Sequence, residues 1–244
     1  MYRQHFFINT CSYLVKYGFN KELQMNFNTL ATFGCSFTYG GGSKNPETDS
    51  WGAQLSEKMN IKHVNYGEGG SSNDRIVRKL IHHDTDLNDN MLVVIMFSFI
   101  ERSEIFYKNE YYHIGPWFLE RKDTDRTHMH LVKNFYRNFS HQNQCFNLHK
   151  NMLMAELYLK SKNIPYVFCF IDTPYIFDGF DQGFGALINR KYVMRRFSKT
   201  YEEICAAYPN DFDPEKFDHT GKAGYKLMAD ELYDFIRDTH AIKE

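Results

Sequence analysis

The 244-residue chain carries 29 Lys and Arg against 30 Asp and Glu, a formal net charge of -1, and is 43% hydrophobic and 24% charged. Near-neutrality removes the global electrostatic drive toward nucleic acid or an anionic membrane surface, and no apolar run reaches the ~20 residues a spanning helix needs. Five scattered cysteines (Cys11, Cys35, Cys145, Cys169 and Cys205), odd in number and without a C-x-x-C pair, argue against a disulfide framework or a structural zinc site and point to a reducing cytoplasm. The 22 Phe and 17 Tyr read mostly as core, although an aromatic cleft would also suit a glycan or acyl group.

Residues 1–28 read as an N-terminal extension. They lack the sustained apolar stretch of a signal peptide, and Met25 stands just ahead of the first convincing strand as an alternative start. Residues 29–244 read as one domain, since no repeat or Pro/Gly/Ser-rich linker interrupts them. Thr29 to Gly34 is a strand that ends in a turn, followed by the loop Gly40-Gly41-Gly42. Ser50 then caps a helix whose Trp51, Leu55 and Met59 share one face. His63 to Tyr66 is a second strand. After the loop Gly67-Glu68-Gly69-Gly70-Ser71, Ser72 or Asn73 caps a helix with Ile76, Val77, Leu80 and Ile81 as its apolar stripe.

Met91 to Phe97 is continuously apolar, as in a central strand buried on both faces. Tyr107 to Asn143 reads as an insertion of loops and a helix. Leu148, Met152, Ala155 and Leu159 restore helical spacing until Asn163 and Pro165 stop it, and Tyr166 to Ile171 is a further buried strand. Residues 172–184 read as loop, with a basic helix to follow. The last helix runs from about Lys222 to Arg237, with Met228, Leu232 and Phe235 inward. Strands alternating with helices predict an α/β fold, a doubly wound parallel sheet sandwiched by helices in a flavodoxin-like three-layer arrangement.

Such sheets bind ligands at the carboxyl ends of their strands. There the chain places Gly34-Cys35-Ser36-Phe37-Thr38, the Gly67–Asn73 loop, the segment after Phe97 and, before the last helix, Asp218-His219-Thr220-Gly221. A serine on a tight Gly-x-Ser turn is a candidate nucleophile once an imidazole takes its proton and amides hold the oxyanion. Ser36, His219 and the amides of Ser36 and Gly70 fit those parts. The blander readings are a turn serine, a solvated histidine and a turn glycine. Gly40-Gly41-Gly42-Ser43-Lys44 lacks the spacing of a phosphate loop. Neither His82-His83-Asp84 nor His128-Met129-His130 has ligand spacing, so no metal and no cofactor is expected. The basic run Arg190, Lys191, Arg195, Arg196 and Lys199 reads as a wet helix face.

These blocks resemble the SGNH (GDSL-like) hydrolases. GCSFTYG (34–40) is similar to that family's G-D-S-x-T block, VNYGEGGSSNDRI (64–76) to its second block, and FDHTGKAGYKLMADEL (217–232) to its last. The resemblance spans Leu30 to Ile236, and its tone, with SFIERSEIF (98–106), is closest to uncharacterised bacteriophage members. It implies a serine esterase, acting on a small-molecule or glycan ester such as an O-acyl group on a carbohydrate, through a Ser36–His219 dyad or triad. An acyltransferase and a non-catalytic glycan-binding or structural protein are the alternatives. No nucleic-acid or membrane partner is implied, the oligomeric state stays open, and the location is cytoplasmic (the host's, if the gene is a phage's).

Three departures bear on the site. Cys35 replaces the family's Asp. Phe97 to Arg102 replaces its G-x-N-D block, so Asn73 or Ser98 would substitute at the oxyanion and Arg102 would bind an anionic group of the substrate. Lys216 stands where the acid should, three residues before the histidine, which leaves Asp218 or Asp213 to orient His219.

Overall fold

The computed structural model describes residues 27–171, 177, 179–212 and 219–240. Four parallel strands make the central sheet: β1 (Thr29–Phe33), β2 (Lys62–Asn65), β3 (Met91–Phe97) and β6 (Tyr166–Phe170), in the order β2-β1-β3-β6. The helices that cover it are α3 (Trp51–Met59), α4 (Asn73–His82), α6 (His141–Ser161) and α8 (Lys222–His240). This is the predicted three-layer α/β sandwich.

Side-chain alternation along the strands decides where the two cores lie. Ala31, Phe33, Val93, Ile95, Phe97, Tyr166, Phe168 and Phe170 point to one face. There they meet Ile76, Val77 and Leu80 of α4 and Leu148, Met152, Ala155 and Leu159 of α6. The intervening Leu30, Leu92, Val94, Met96, Val167 and Cys169 point to the other face, against Trp51 and Leu55 of α3 and Tyr225, Met228, Leu232 and Ile236 of α8. The strands β3 and β6 are therefore apolar at every position, because each of their faces has a helix opposite it, whereas β1 includes Thr29 and Thr32 and the edge strand β2 is polar and only partly buried.

Local signals account for most boundaries. Ser50 and Ser72 cap α3 and α4 by accepting from Ala53 N and Arg75 N. Asn163, in the left-handed region at φ 56, follows α6. Thr200 and Glu203 form a capping box at α7 (Tyr201–Ala207). Short helices α1 (Ser36–Tyr39) and α2 (Pro46–Asp49) occupy the glycine-rich segment after β1.

Several expectations need correction. Ile81 is 43% exposed, so the α4 stripe is Ile76, Val77 and Leu80. In α8 it is Ile236 that is fully buried, with Phe235 only partly so. The basic helix is absent: Arg190–Tyr192 forms a single 3-10 turn, and Phe197 is buried in the core on the α3–α8 side. The irregular stretch expected from Tyr107 begins with an antiparallel hairpin, β4 (Ser103–Tyr107) and β5 (Glu110–Ile114). Its two-residue turn uses Lys108 at φ 49 and Asn109 at φ 66, a geometry normally announced by glycine. Without that glycine the turn was not legible. A 3-10 turn (Pro116–Leu119) and helix α5 (Arg126–Arg137) complete the segment.

Candidate active site

β1 is flanked by β2 on one side and β3 on the other, so the chain reverses its direction of travel across the sheet at β1. The crevice outside the β1 and β3 carboxyl ends is the switch point where such sheets bind ligands. Register puts the two exits level, with Phe33 opposite Ile95. Ser36 and Ser98 each follow three residues later.

Ser36 opens α1, directly after Cys35 in extended backbone, and its carbonyl accepts from Gly40 N at 3.0 Å and Gly41 N at 2.8 Å. Cys35 is fully buried. The turn is compact because Gly34 has no side chain: a Cβ there would sit 2.0 Å from Thr38 Oγ1 and 2.9 Å from Met96 O. Ser36 is partly exposed.

His219 comes from the far end of the chain to the same turn. Its imidazole stacks on Phe37 at 4.9 Å and 24°. It also lies against Gly41, where a Cβ would be 2.9 Å from Cδ2, 3.1 Å from Nε2 and 3.2 Å from Ser36 O. Ser36 and His219 thus share Gly41 as a common neighbour. The segment around His219 is tied down from below. Tyr225 Oη donates to Gly41 O at 2.5 Å, Asp211 N donates to Gly42 O at 2.7 Å, and Thr220 Oγ1 donates to Tyr208 O at 2.5 Å. Asp218 and Asp213 lie outside the described residues. Asp211, which the sequence reading passed over, accepts from Lys222 N at 3.3 Å and so serves the start of α8.

The second loop closes the crevice from the β2 side. Glu68 N donates to Gly34 O at 3.1 Å, and the Asn65 amide ties the loop to α1 by donating to Thr38 O at 2.9 Å. Gly70, at φ 72, takes a left-handed turn that favours glycine, and the Trp117 ring lies over it. Asn73 is buried, and its carboxamide clamps the exit of β3: Nδ2 donates to Ser98 O at 3.1 Å while Oδ1 accepts from Ser98 N at 2.7 Å. One Nδ2 hydrogen remains beyond that pair.

Arg102 donates from Nη1 to Ser98 Oγ at 3.0 Å, and its guanidinium lies 4.7 Å from the Phe99 ring centre and 5.1 Å from that of Trp117. Edge contacts of Tyr201 with both Phe37 and Phe99 complete an aromatic rim from His219 round to Gly70. The sequence reading missed this rim. Trp117, one of two tryptophans, was the available signal.

Behind the rim, α4 is locked to the hairpin. Arg78 makes a two-pronged pair with Glu104 at 2.7 Å on both arms, which holds its guanidinium charge more firmly than usual. Arg75 and Lys79 pair with Glu68. Burial, and then the charge of Arg75, lowers the His113 pKa and favours its neutral ring. Among the described residues no group of His, Cys, Asp or Glu is arranged to hold a metal ion.

Residues 38–241 match the model of a family of unknown function, DUF6071. No curated protein matches the sequence. The solved structures that the fold matches are SGNH, or GDSL, hydrolases at low identity. TesA is 12% identical with a TM-score of 0.51, the match covering 86% of this chain and 99% of that one. The acetyl xylan esterase Est2A from the rumen bacterium Butyrivibrio proteoclasticus is 10% identical, also with a TM-score of 0.51, covering 88% of this chain and 65% of that one. AlinE4, an SGNH-hydrolase family esterase, is 14% identical with a TM-score of 0.45, covering 89% and 98%. At these identities the likeness concerns the fold.

Proposed function

The chain belongs to DUF6071, a family of unknown function, and from that premise and the SGNH-like fold we propose that it is a serine esterase acting on an O-acylated carbohydrate. The observation that carries the reading is the His219 imidazole seated on Phe37, which follows Ser36 in the chain, and on Gly41, whose N–H donates to the Ser36 carbonyl. Ser36 Oγ attacks the acyl carbon and passes its proton to His219. The tetrahedral oxyanion is held by the amides of Ser36 and Gly70, with the second Asn73 amide hydrogen as a third donor. Collapse expels the sugar alkoxide, which takes the proton from His219. Water, deprotonated by the same imidazole, then frees the acid and restores Ser36. Asp218 or Asp213 orients the imidazole.

Est2A is by its name an acetyl xylan esterase, and the partly exposed rings of Tyr201, Phe99 and Trp117 give this chain a surface on which a sugar ring can stack. The same reading places the protein in the cytoplasm, the host's if the gene is a phage's. Its four described cysteines are all buried thiols, and no described helix is long and apolar enough to cross a membrane.

The test is labelling by a serine-reactive alkyl phosphonate together with turnover of 4-nitrophenyl acetate. Wild type should be labelled stoichiometrically, and Ser36→Ala should lose both labelling and at least about three orders of magnitude of turnover. Labelling that persists in the alanine variant would move the nucleophile elsewhere, Cys35 first. A folded wild type that neither labels nor turns over any ester would leave the carbohydrate-binding alternative.

A further inference from the structure

Half-buried guanidinium groups on this side of the molecule are neutralised, with one exception. Arg75 pairs with Glu68 and Arg78 with Glu104, whereas Arg102 has no ion pair among the described residues. Its sequence neighbour Glu101 does not supply one; the Glu101 carbonyl accepts from Tyr136 Oη at 2.9 Å. Burial without a counter-charge is unfavourable for a cation, and the Phe99 and Trp117 rings offset only part of that cost. The rings also hold the planar group in place, so little side-chain freedom remains to be lost when a ligand arrives. Of its five N–H donors, one is spent on Ser98 Oγ.

The position is as informative as the charge. Strands β1 and β3 are level at Phe33 and Ile95, Ser36 and Ser98 each follow three residues later in the chain, and Trp117 covers Gly70 of the opposite loop. Arg102 is therefore bracketed by both loops that frame the candidate nucleophile. A fork of donors on a fixed plane suits a carboxylate or sulfate better than a neutral hydroxyl.

We propose that the ester substrate carries an anionic group, a carboxylate or a sulfate, which Arg102 binds from its place between Phe99 and Trp117. The proposal rests on the esterase reading for the word substrate; the anion site itself does not need it. Arg102 acts as a specificity residue, placing the acylated sugar so that its ester reaches Ser36.

Two measurements on the full chain test it. The first compares kcat/KM for an acetylated glucuronate, the matching neutral glucuronamide and the matching glucose 6-sulfate. Wild type should favour at least one anion over the amide by roughly ten- to a hundredfold, as expected for a charge-assisted hydrogen-bonded pair. In Arg102→Gln that ratio should fall to about one, and Arg102→Lys should keep part of it. The anion preferred identifies the carboxylate or the sulfate as the natural group. The second titrates glucuronate, glucose 6-sulfate and glucose into Ser36→Ala by NMR. At least one anion should bind about tenfold or more tighter than glucose, and the gain should vanish in Ser36→Ala/Arg102→Gln.

A wild-type ratio near one, a ratio unchanged by Arg102→Gln, or equal binding of glucose and both anions would each overturn the proposal. Turnover with no anion preference leaves the esterase reading standing and the anion site refuted. Arg102-dependent anion binding without turnover does the reverse. The Ser36→Ala titration keeps Arg102 in place, so it decides the anion site even if Arg102→Gln fails to fold.

Discussion

Replacing Gly41 by alanine tests the placement of the imidazole with a single methyl group. The added carbon would lie 2.9 Å from His219 Cδ2 and 3.1 Å from Nε2, whereas carbon contacts settle at about 3.5–4.0 Å. The ring must therefore retreat by roughly 0.5–1 Å. Phe37 backs it on one face, and its own backbone is tied through Thr220 to Tyr208, so the displacement is not absorbed by a free rotor. A misplacement of about 1 Å at a reacting group costs on the order of a hundredfold in rate. Stability should change far less. Overpacking costs about 1–3 kcal/mol, and the stiffer unfolded chain returns about 0.4–1 kcal/mol, because Gly41 does not occupy the left-handed region. For a chain of this size the melting temperature should fall by no more than about 8 °C. The assay is the rate of phosphonate labelling and of 4-nitrophenyl acetate turnover beside a thermal melt. The expected result is a ten- to hundredfold slower, still folded protein. Gly42→Ala is the contrast: at φ 86, with Thr220 O only 2.7 Å from the new carbon, it should damage the fold itself. A folded Gly41→Ala protein with rates within twofold of wild type would refute His219 as the base.

Of Asp218→Asn and Asp213→Asn, the variant that loses turnover by orders of magnitude at an unchanged melting temperature identifies the acid that orients His219; if neither does, the site works as a dyad. Asn73→Ala should destabilise the protein by about 2–3 kcal/mol in urea unfolding, because it strands the buried N–H and carbonyl of Ser98, and a loss under about 0.5 kcal/mol would contradict that clamp. Burial lowers the pKa values of His63 and His240 to about 4. Both rings stay neutral in the native state while the unfolded chain takes up protons below about pH 6.5, so stability should be full above that pH and fall progressively toward pH 4, by at most about 3 kcal/mol for each ring. His63→Gln, which can still reach the Thr32 hydroxyl, should flatten the decline of the urea midpoint between pH 7 and pH 5; an unchanged slope would show that His63 does not carry it.

The layer architecture was legible in the sequence because it depends on periodicity and local chemistry. The run Met91–Phe97 has to be covered on both faces, Ser50 and Ser72 announce their helices, and Trp51 and Leu55 share a face by spacing alone. The same kind of reading brought Ser36, Gly70 and His219 forward, since a Gly-x-Ser turn, a glycine-rich loop and a late histidine each sit at a strand exit or a helix start. Elements set by non-local pairing were not legible. The hairpin turn at Lys108 and Asn109 carries no glycine, and its strands are held by Arg78, which reaches across from α4 to Glu104 of β4. The stretch at 190–199 has the composition of a helix, yet Phe197 is drawn into a core that its own neighbours do not reveal. The floor under His219, the Asn73 clamp on Ser98 and the stacking of Phe99, Arg102 and Trp117 arise only where strand register and chain reversal bring distant segments level. Sequence spacing constrains contacts within one turn or one strand; the carboxyl edge of the sheet is assembled from separate stretches of the chain, and only the fold decides which side chains meet there.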